Sequence, residues 1–322
     1  MMNKAIEEFA KQFAFTPRIE NEQNFTARQK FVVSGMGGSH LAADILKTIQ
    51  PSLDIIIHKN YGLPDCGNLE ERLIIASSYS GNTEETIDSF QKALGSGLSC
   101  IAISTGGALL EIARKQKAPF IEIPQTNIQP RLALGLSSIA MAHAMRQRDL
   151  LLELNELSTT LHPHECEKAG KELAHELQGC VPVVYTSLHN EAIAYNWKIK
   201  FNETGKIPAF YNVFPELNHN EMTGFDVQET SRALSQNFFF IILHDSDDDP
   251  RTQKRMDILA QLYRDRDLKV KKLTLDSQNK SHKVFSSLVL ADWTAYYTAM
   301  QYGLEPEQVP MVEEFKKLIA EV

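Results

Sequence analysis

The stretch "LIIASSYSGNTEET", Leu73 to Thr86, begins as an apolar run, breaks into hydroxyls and a glycine, and then turns acidic. The apolar part suits a buried strand, Gly81 permits a tight turn, and Glu84 and Glu85 suit a helix's first turn, where carboxylates complement the dipole. A strand that opens into a helix through small polar residues presents unpaired backbone N–H groups at its tip. Such a tip is a natural anion site.

Working outward, β-branched runs alternate with helical patterns on both sides of this stretch. "KFVVSG" precedes a helical "SHLAADILKTI"; "LDIIIHK" follows, then Leu73 onward, a helix from about Asn82 to Leu94, "LSCIAIS", a helix around "ALLEIARKQ", and "PFIEI". Strands separated by helices of this length indicate βαβ units and a parallel sheet. "LALGLSSIAMAHAM", Leu132 to Met145, closes this half as a largely buried helix. A helical connection from about Leu150 to Leu177, broken at Pro163, leads to a second alternation: "CVPVVYTS", a helix from about Glu191, "PAFYNV", "NFFFIILH", "RTQKRMDILAQLYRD", "LKVKKLTL", the long helix "SSLVLADWTAYYTAM" and a terminal amphipathic "VPMVEEFKKLIAEV". The expected fold is α/β, with two doubly wound parallel-sheet domains, 1–150 and 151–322, and a C-terminal helix. "VVSGMGGSHLAADILK" and "VVYTSLHNEAIAYNWK" hold the same place in the two halves, which suggests a duplication.

The 322 residues are 43% hydrophobic and 23% charged, the balance of a chain able to bury a real core. A formal net charge of -8 argues against nucleic acid or an anionic membrane surface as partner. No run approaches the apolar length of a membrane span. The N-terminal "MMNKAIEEFAKQF" reads as an amphipathic helix rather than a secretory signal. Cys66, Cys100, Cys166 and Cys180 lack paired C-x-x-C spacing, so reduced packing cysteines of a cytoplasmic protein are expected, without zinc. "SDDDP", Ser246 to Pro250, reads as a solvated turn and helix start, since three adjacent aspartates cannot all face one ion.

Two turns of the first half share one chemistry. "GMGGSH" supplies Gly35, Gly37, Gly38 and then Ser39, and "SYSGNT" supplies Ser78, Ser80 and Thr83. In a doubly wound sheet, ligands collect beyond the carboxyl ends of the strands, where hydroxyls and N–H groups can saturate a phosphate without arginine. Either turn alone is better explained as helix capping; the two together favour a phosphate site. The first turn is neither a dinucleotide fingerprint nor a Walker A motif.

These turns resemble the sugar isomerase (SIS) domain, whose S-x-S-G-x-T loop binds the phosphate of phosphosugars. The resemblance implies Ser39, Ser78, Ser80 and Thr83 as phosphate ligands, with Gly38 beside them. In the second half, Glu203 ends a helical stretch and His219 lies in the polar "PELNHNE". Moving a proton between adjacent sugar carbons requires a carboxylate base, ring opening suits a histidine, and an enediolate needs a cation, for which Arg131 is a candidate. Singly, each has a bland reading: a solvent-facing Glu, a surface His, a capping Arg.

"NE-x-x-K", "PELNHNE", the "PR" at Pro130–Arg131 and the terminal "V-x-x-F-K" together resemble the bifunctional phosphoglucose/phosphomannose isomerases, which are built from two SIS domains. The likeness spans nearly the whole chain. It implies Glu203 as the base between C1 and C2, His219 as the ring-opening group, Arg131 as stabiliser, and Lys316 (or the adjacent Lys317) as the active-site lysine. It also implies a homodimer in which His219 crosses from the neighbouring subunit, with no metal or other cofactor. Three features depart from the family: His40 after the cradle serine, "NETGK" for the commoner "NENAK"-like form, and only Gln308 as a neutral polar side chain ahead of the terminal lysines. The rival readings are an aminosugar-phosphate isomerase or deaminase and a non-catalytic phosphosugar-binding regulator. The regulator needs only the cradle and would usually add a DNA-binding or partner-binding segment; there is no basic helix-turn-helix candidate, and the acidic charge counts against one.

Overall fold

The computed structural model describes residues 1–277 and 279–320. Glu321 and Val322, the end of the expected terminal helix, lie outside the described residues. Among them, contacts cluster into two compact units. One is Glu8–His162 with Asn279–His282; the other is Met1–Glu7 with the described chain from Pro163 on, less that insert.

The chain opens with α1 (Met2–Glu7) and a 3-10 helix (Phe9–Ala14), where the sequence pattern predicts one continuous helix. The apolar stripe is real but serves two cores. Met2 and Ile6 are buried in one unit, while Phe9 and Phe13, in edge contact at 5.6 Å, are buried in the other.

The Glu8–His162 unit contains β1 (Lys30–Ser34), α2 (Gly38–Ile49), β2 (Asp54–His58), β3 (Arg72–Ser77), α3 (Glu84–Gly95), β4 (Cys100–Ser104), α4 (Gly107–Lys115), β5 (Phe120–Glu122), α5 (Leu134–Ala144) and α6 (Arg148–Thr160). Its sheet has the order β2-β1-β3-β4-β5, every pairing parallel. Successive strand residues face opposite sides. Val32, Ile74, Ala76 and Ala102 pack with Phe90 and Ala93 of α3 and Leu109, Leu110 and Ala113 of α4. Their neighbours Phe31, Val33, Ile75, Ile101 and Ile103 are as fully buried. A sheet covered on both faces accounts for the continuous apolar runs. In α5 every residue but His143 is buried, as its all-round apolar sequence demands.

The second unit contains α7 (Glu167–Glu176), β6 (Val181–Ser187), α8 (Glu191–Glu203), β7 (Phe210–Phe214), the short α9 (Glu221–Gly224) and α10 (Arg232–Ser235), β8 (Phe238–Asp245), α11 (Pro250–Arg264), β9 (Lys269–Leu275), α12 (Lys280–Gln301, apart from its first turn) and α13 (Pro310–Ala320). Its parallel sheet has the order β7-β6-β8-β9. One face packs Val183, Tyr185, Phe240 and Ile242 against Met256, Leu259, Ala260 and Tyr263 of α11. Helices α8 and α12 meet through Trp197, whose Nε1 donates to Ser287 Oγ at 2.9 Å.

Both sheets open with the same winding. The first strand (β1, β6) ends between the second and third strands of its own unit. The crevice at the carboxyl ends of β1 and β3, and of β6 and β8, is therefore each sheet's switch point.

Candidate active site

At the first switch point the two predicted turns interlock. Tyr79 N–H donates to Ser39 Oγ at 3.0 Å, and Ser77 Oγ–H donates to the Ser39 carbonyl at 3.0 Å. Ser78 Oγ pairs with Thr83 Oγ1 at 2.8 Å and accepts the Gly81 N–H at 3.1 Å, while Ser80 Oγ accepts from Asn82 N–H at 3.3 Å. The structure thus brings Gly38, Ser39, Ser78, Ser80 and Thr83 to one end of one sheet. Thr83 occupies the N-cap position of α3, yet its hydroxyl pairs with Ser78 rather than with a first-turn N–H of α3. The bland capping explanation therefore fails for Thr83, and the helix dipole faces an array of hydroxyls.

A third loop, which the sequence did not single out, supports the cradle from behind. Thr105 Oγ1 donates to the Tyr79 carbonyl at 2.7 Å, and Ala108 N–H donates to Asn82 Oδ1 at 3.1 Å. Gly81 has φ +74°, and a Cβ there would lie 1.8 Å from the Gly106 carbonyl oxygen. Only glycine fits this crossing. Burial raises the Tyr79 phenol above its usual value, although its O–H pairs with Thr126 Oγ1 at 3.1 Å.

Arg131 belongs to the same unit. It sits in a 3-10 turn (Pro130–Leu132) and is buried. A Cβ on Gly38 would meet Arg131 N and Pro130 at 3.2 Å, so the cradle's glycine lies directly against the backbone that carries the arginine. His40 is held inside α2, with Nδ1 2.6 Å from Asp44 Oδ2, and is 1% exposed.

Glu203 is the last residue of α8 and is half-buried. Lys206 Nζ donates to the Glu203 carbonyl at 2.5 Å and also to the carbonyl of Gln308, so the end of α8 is tied to the segment ahead of α13. The "PELNHNE" residues form a 3-10 turn (Glu216–His219) leading into α9, after a cis Phe214–Pro215 bond. Leu217 is fully buried, whereas His219 is exposed. Lys316 lies on an exposed helix and pairs with Glu313 at 2.8 Å within α13; Lys317 is exposed beside it.

The second switch point differs. "SDDDP" does start a helix, with Asp249 Oδ1 accepting the Arg251 N–H at 2.8 Å and Pro250 in the first turn. It is not simply solvated. Asp248 is 8% exposed and accepts from Ser187 Oγ at 2.7 Å, and Asn190 Nδ2 donates to Asp245 Oδ2 at 3.0 Å. Lys283 Nζ, also buried, reaches Asp245 at 2.7 Å and Asp247 at 2.6 Å. Burial and the neighbouring Asp245 charge push the Asp248 carboxyl above its usual value. The chain's own carboxylates fill the position where the first unit presents hydroxyls. Among the described residues, no cluster of His, Cys, Asp or Glu has a geometry suited to a metal ion, and no helix is long and apolar enough to cross a membrane.

Comparison with known proteins places the chain among relatives. Residues 166–319 match the family described as the bacterial phospho-glucose isomerase C-terminal SIS domain. The chain is 34% identical, over 91% of its length and 90% of the relative's, to a bifunctional phosphoglucose/phosphomannose isomerase of Caldicellulosiruptor bescii. A protein of the same name from Aquifex aeolicus is 30% identical over 98% of this chain and 97% of its own. The fold matches the crystal structure of glucosamine-6-phosphate deaminase from Thermotoga maritima with a TM-score of 0.70, at 13% identity, covering 96% of this chain and 97% of that one. Relatives at this identity over nearly its whole length show that the chain belongs to the bifunctional phosphoglucose/phosphomannose isomerase family.

Proposed function

We propose that the protein is an aldose–ketose isomerase that interconverts glucose 6-phosphate, and also mannose 6-phosphate, with fructose 6-phosphate. The near-full-length relationship to proteins named for both activities carries this reading. Ser39, Ser78, Ser80 and Thr83, with the backbone at Gly38, hold the phosphate. His219 takes the proton of the C1 hydroxyl and a proton is delivered to the ring oxygen, opening the pyranose. Glu203 then removes the C2 proton, the electron pair forms the C1–C2 double bond, and O1 takes the charge of a cis-enediolate. Arg131 offsets that charge, and Lys316 or Lys317 supplies a second cation. A proton passes from O2 to O1, and return of the abstracted proton to C1 as the C2 carbonyl forms gives the ketose. Rotation about C2–C3 of the open chain presents either face of C2 to Glu203, so one base serves both epimers. All steps are proton transfers between side chains and sugar, and no metal is assigned a part.

The reading extends to a cytoplasmic enzyme of carbohydrate metabolism, acting in glycolysis and gluconeogenesis as a homodimer, with His219 supplied to the neighbouring subunit's site. Exposure of His219 at the surface of its loop supports that delivery. The aminosugar and regulator alternatives would leave the "PELNHNE" loop without a task.

The test is formation of fructose 6-phosphate from each aldose, with chelator present, by wild type and Glu203→Gln. Turnover of both sugars, abolished by the substitution, is expected; no turnover of either alongside tight phosphosugar binding would overturn the assignment. For the dimer, inactive Glu203→Gln and His219→Ala proteins are unfolded and refolded together. If His219 crosses, mixed dimers regain one intact site in two, about a quarter of wild-type activity in a statistical mixture. If it acts within its own subunit, nothing returns.

A further inference from the structure

The loop that carries His219 is tied down by a carboxylate that the proton-transfer scheme does not use. Glu221 begins α9, two residues after His219. Its Oε1 accepts from Tyr185 Oη at 2.5 Å and its Oε2 accepts from Asn212 Nδ2, while its N–H donates to Asn220 Oδ1 at 2.5 Å. Asn220 Nδ2 in turn donates to Glu216 Oε1 at 2.9 Å. Tyr185 is on β6 and Asn212 is on β7, so both oxygens of one carboxylate are fixed to neighbouring strands.

The anchor is itself rigid. Tyr185 is fully buried and packs against Phe214 at 6.1 Å, Phe240 at 5.5 Å and Tyr263 at 6.5 Å. On the chain side, Leu217 enters the same core and Phe225 stacks edge-on to Phe240 at 4.8 Å. The segment from Pro215 to Phe225 is thus pinned by Leu217, Glu221 and Phe225, and His219 is exposed between the first two pins.

We infer that Glu221 is a positioning residue for His219: its carboxylate, clamped by Tyr185 and Asn212, sets where the imidazole stands for ring opening. This rests on the reading of His219 given above. A general acid–base group must lie within hydrogen-bond reach of its proton, and small displacements of a reacting group cost large factors in rate. Glu221→Gln keeps the shape of the side chain but replaces one acceptor by a donor. That donor can meet the Tyr185 oxygen only if the phenol O–H gives up its present bond, and both remaining bonds lose their charged acceptor, so the clamp is weakened on both strands. Glu203, Arg131 and the cradle lie on other elements and keep their own supports.

The experiment compares two aldose phosphates. Glucose 6-phosphate must open a ring before isomerising. Erythrose 4-phosphate carries its phosphate on the hydroxyl that would close a furanose, so it reaches the base without ring opening. For Glu221→Gln we expect kcat on glucose 6-phosphate to fall by about tenfold to a hundredfold. KM should stay within about twofold, as should the rate on erythrose 4-phosphate, since uniform binding and the C2 proton transfer are untouched. Tyr185→Phe, which removes one clamp and fits the aromatic cluster, should show the same selectivity at smaller amplitude; it also serves if Glu221→Gln does not fold. Equal loss on both substrates in the variant that folds, or no loss on glucose 6-phosphate, would overturn the positioning role. Failure of the wild-type protein to turn over either sugar would instead overturn the reading of the site, and this inference with it.

Discussion

Lys200 Nζ lies 2.5 Å from Asp292 Oδ1, with the two side chains only 2% and 1% exposed. The pair bolts α8 to α12 one turn before Glu203. Removing one partner of such a pair leaves an uncompensated charge in a medium of low polarity. Asp292→Ala is therefore expected to cost about 3–5 kcal/mol, whereas the apolar pair Lys200→Met with Asp292→Leu should restore most of the loss. Urea unfolding of the three proteins measures both, and equal stability of wild type and Asp292→Ala would contradict the account.

The cradle makes a kinetic prediction. Ser78 Oγ sits between Thr83 Oγ1 and Gly81 N–H, so its loss disturbs two partners as well as the phosphate proposed to bind there. Hydrogen bonds to charged groups contribute about 1.5–3 kcal/mol, so Ser78→Ala should raise KM for glucose 6-phosphate roughly tenfold to a hundredfold. The inhibition constant of inorganic phosphate should rise in the same ratio. A change in kcat alone would place Ser78 elsewhere in the reaction.

Gly81 and Gly97 separate two costs of a left-handed backbone. Both have positive φ, +74° and +66°, but only Gly81 has a neighbour where a Cβ would go. Gly97→Ala should cost about 1–2 kcal/mol from conformation alone. Gly81→Ala should cost roughly 3 kcal/mol or more, because the Gly106 carbonyl must also move. Thermal melts, with and without phosphate, should show phosphate protecting the Gly97 variant but not the Gly81 variant.

Asp248 predicts a dependence of stability on pH. Its folded-state pKa is raised, first by burial, with the Asp245 charge adding to it, against the opposing effects of Ser187, His189 and His244. A raised carboxyl pKa means that the folded state holds the proton more tightly. Its contribution is complete below the unfolded value near 3.8 and is lost as pH rises through the folded value. Asp248→Asn should therefore stabilise the protein near neutral pH, and the advantage should shrink as pH falls toward 3.8. Melting curves across that range test it; an advantage that grows on acidification would reverse the sign.

The two sheets were legible in the sequence because a strand buried on both faces leaves a continuous apolar run, and βαβ winding leaves few alternatives. The meeting of the two hydroxyl-rich turns was legible too, since their hydroxyls sit within a few residues of one another on each turn. Glu221 was not. Its partners Tyr185 and Asn212 lie 36 and 9 residues away on separate strands, and only β6–β7 register brings them to one carboxylate. The break after Glu7 was hidden for another reason: Met2, Ile6, Phe9 and Phe13 keep helical spacing while dividing between two cores. Asp248 misled because an acidic run beside a proline ordinarily faces water.

The contrast between the two switch points has a consequence for competition among anions. One crevice of the duplicated plan offers hydroxyls and a helix dipole; in the other, Asp248 already occupies the position of an external anion, with Lys283 balancing the charges around it. A solution containing sugar phosphates also contains inorganic phosphate and other competing anions. On the function proposed above they compete for the hydroxyl-lined crevice, because its counterpart among the described residues is held by a tethered carboxylate that dilution cannot remove.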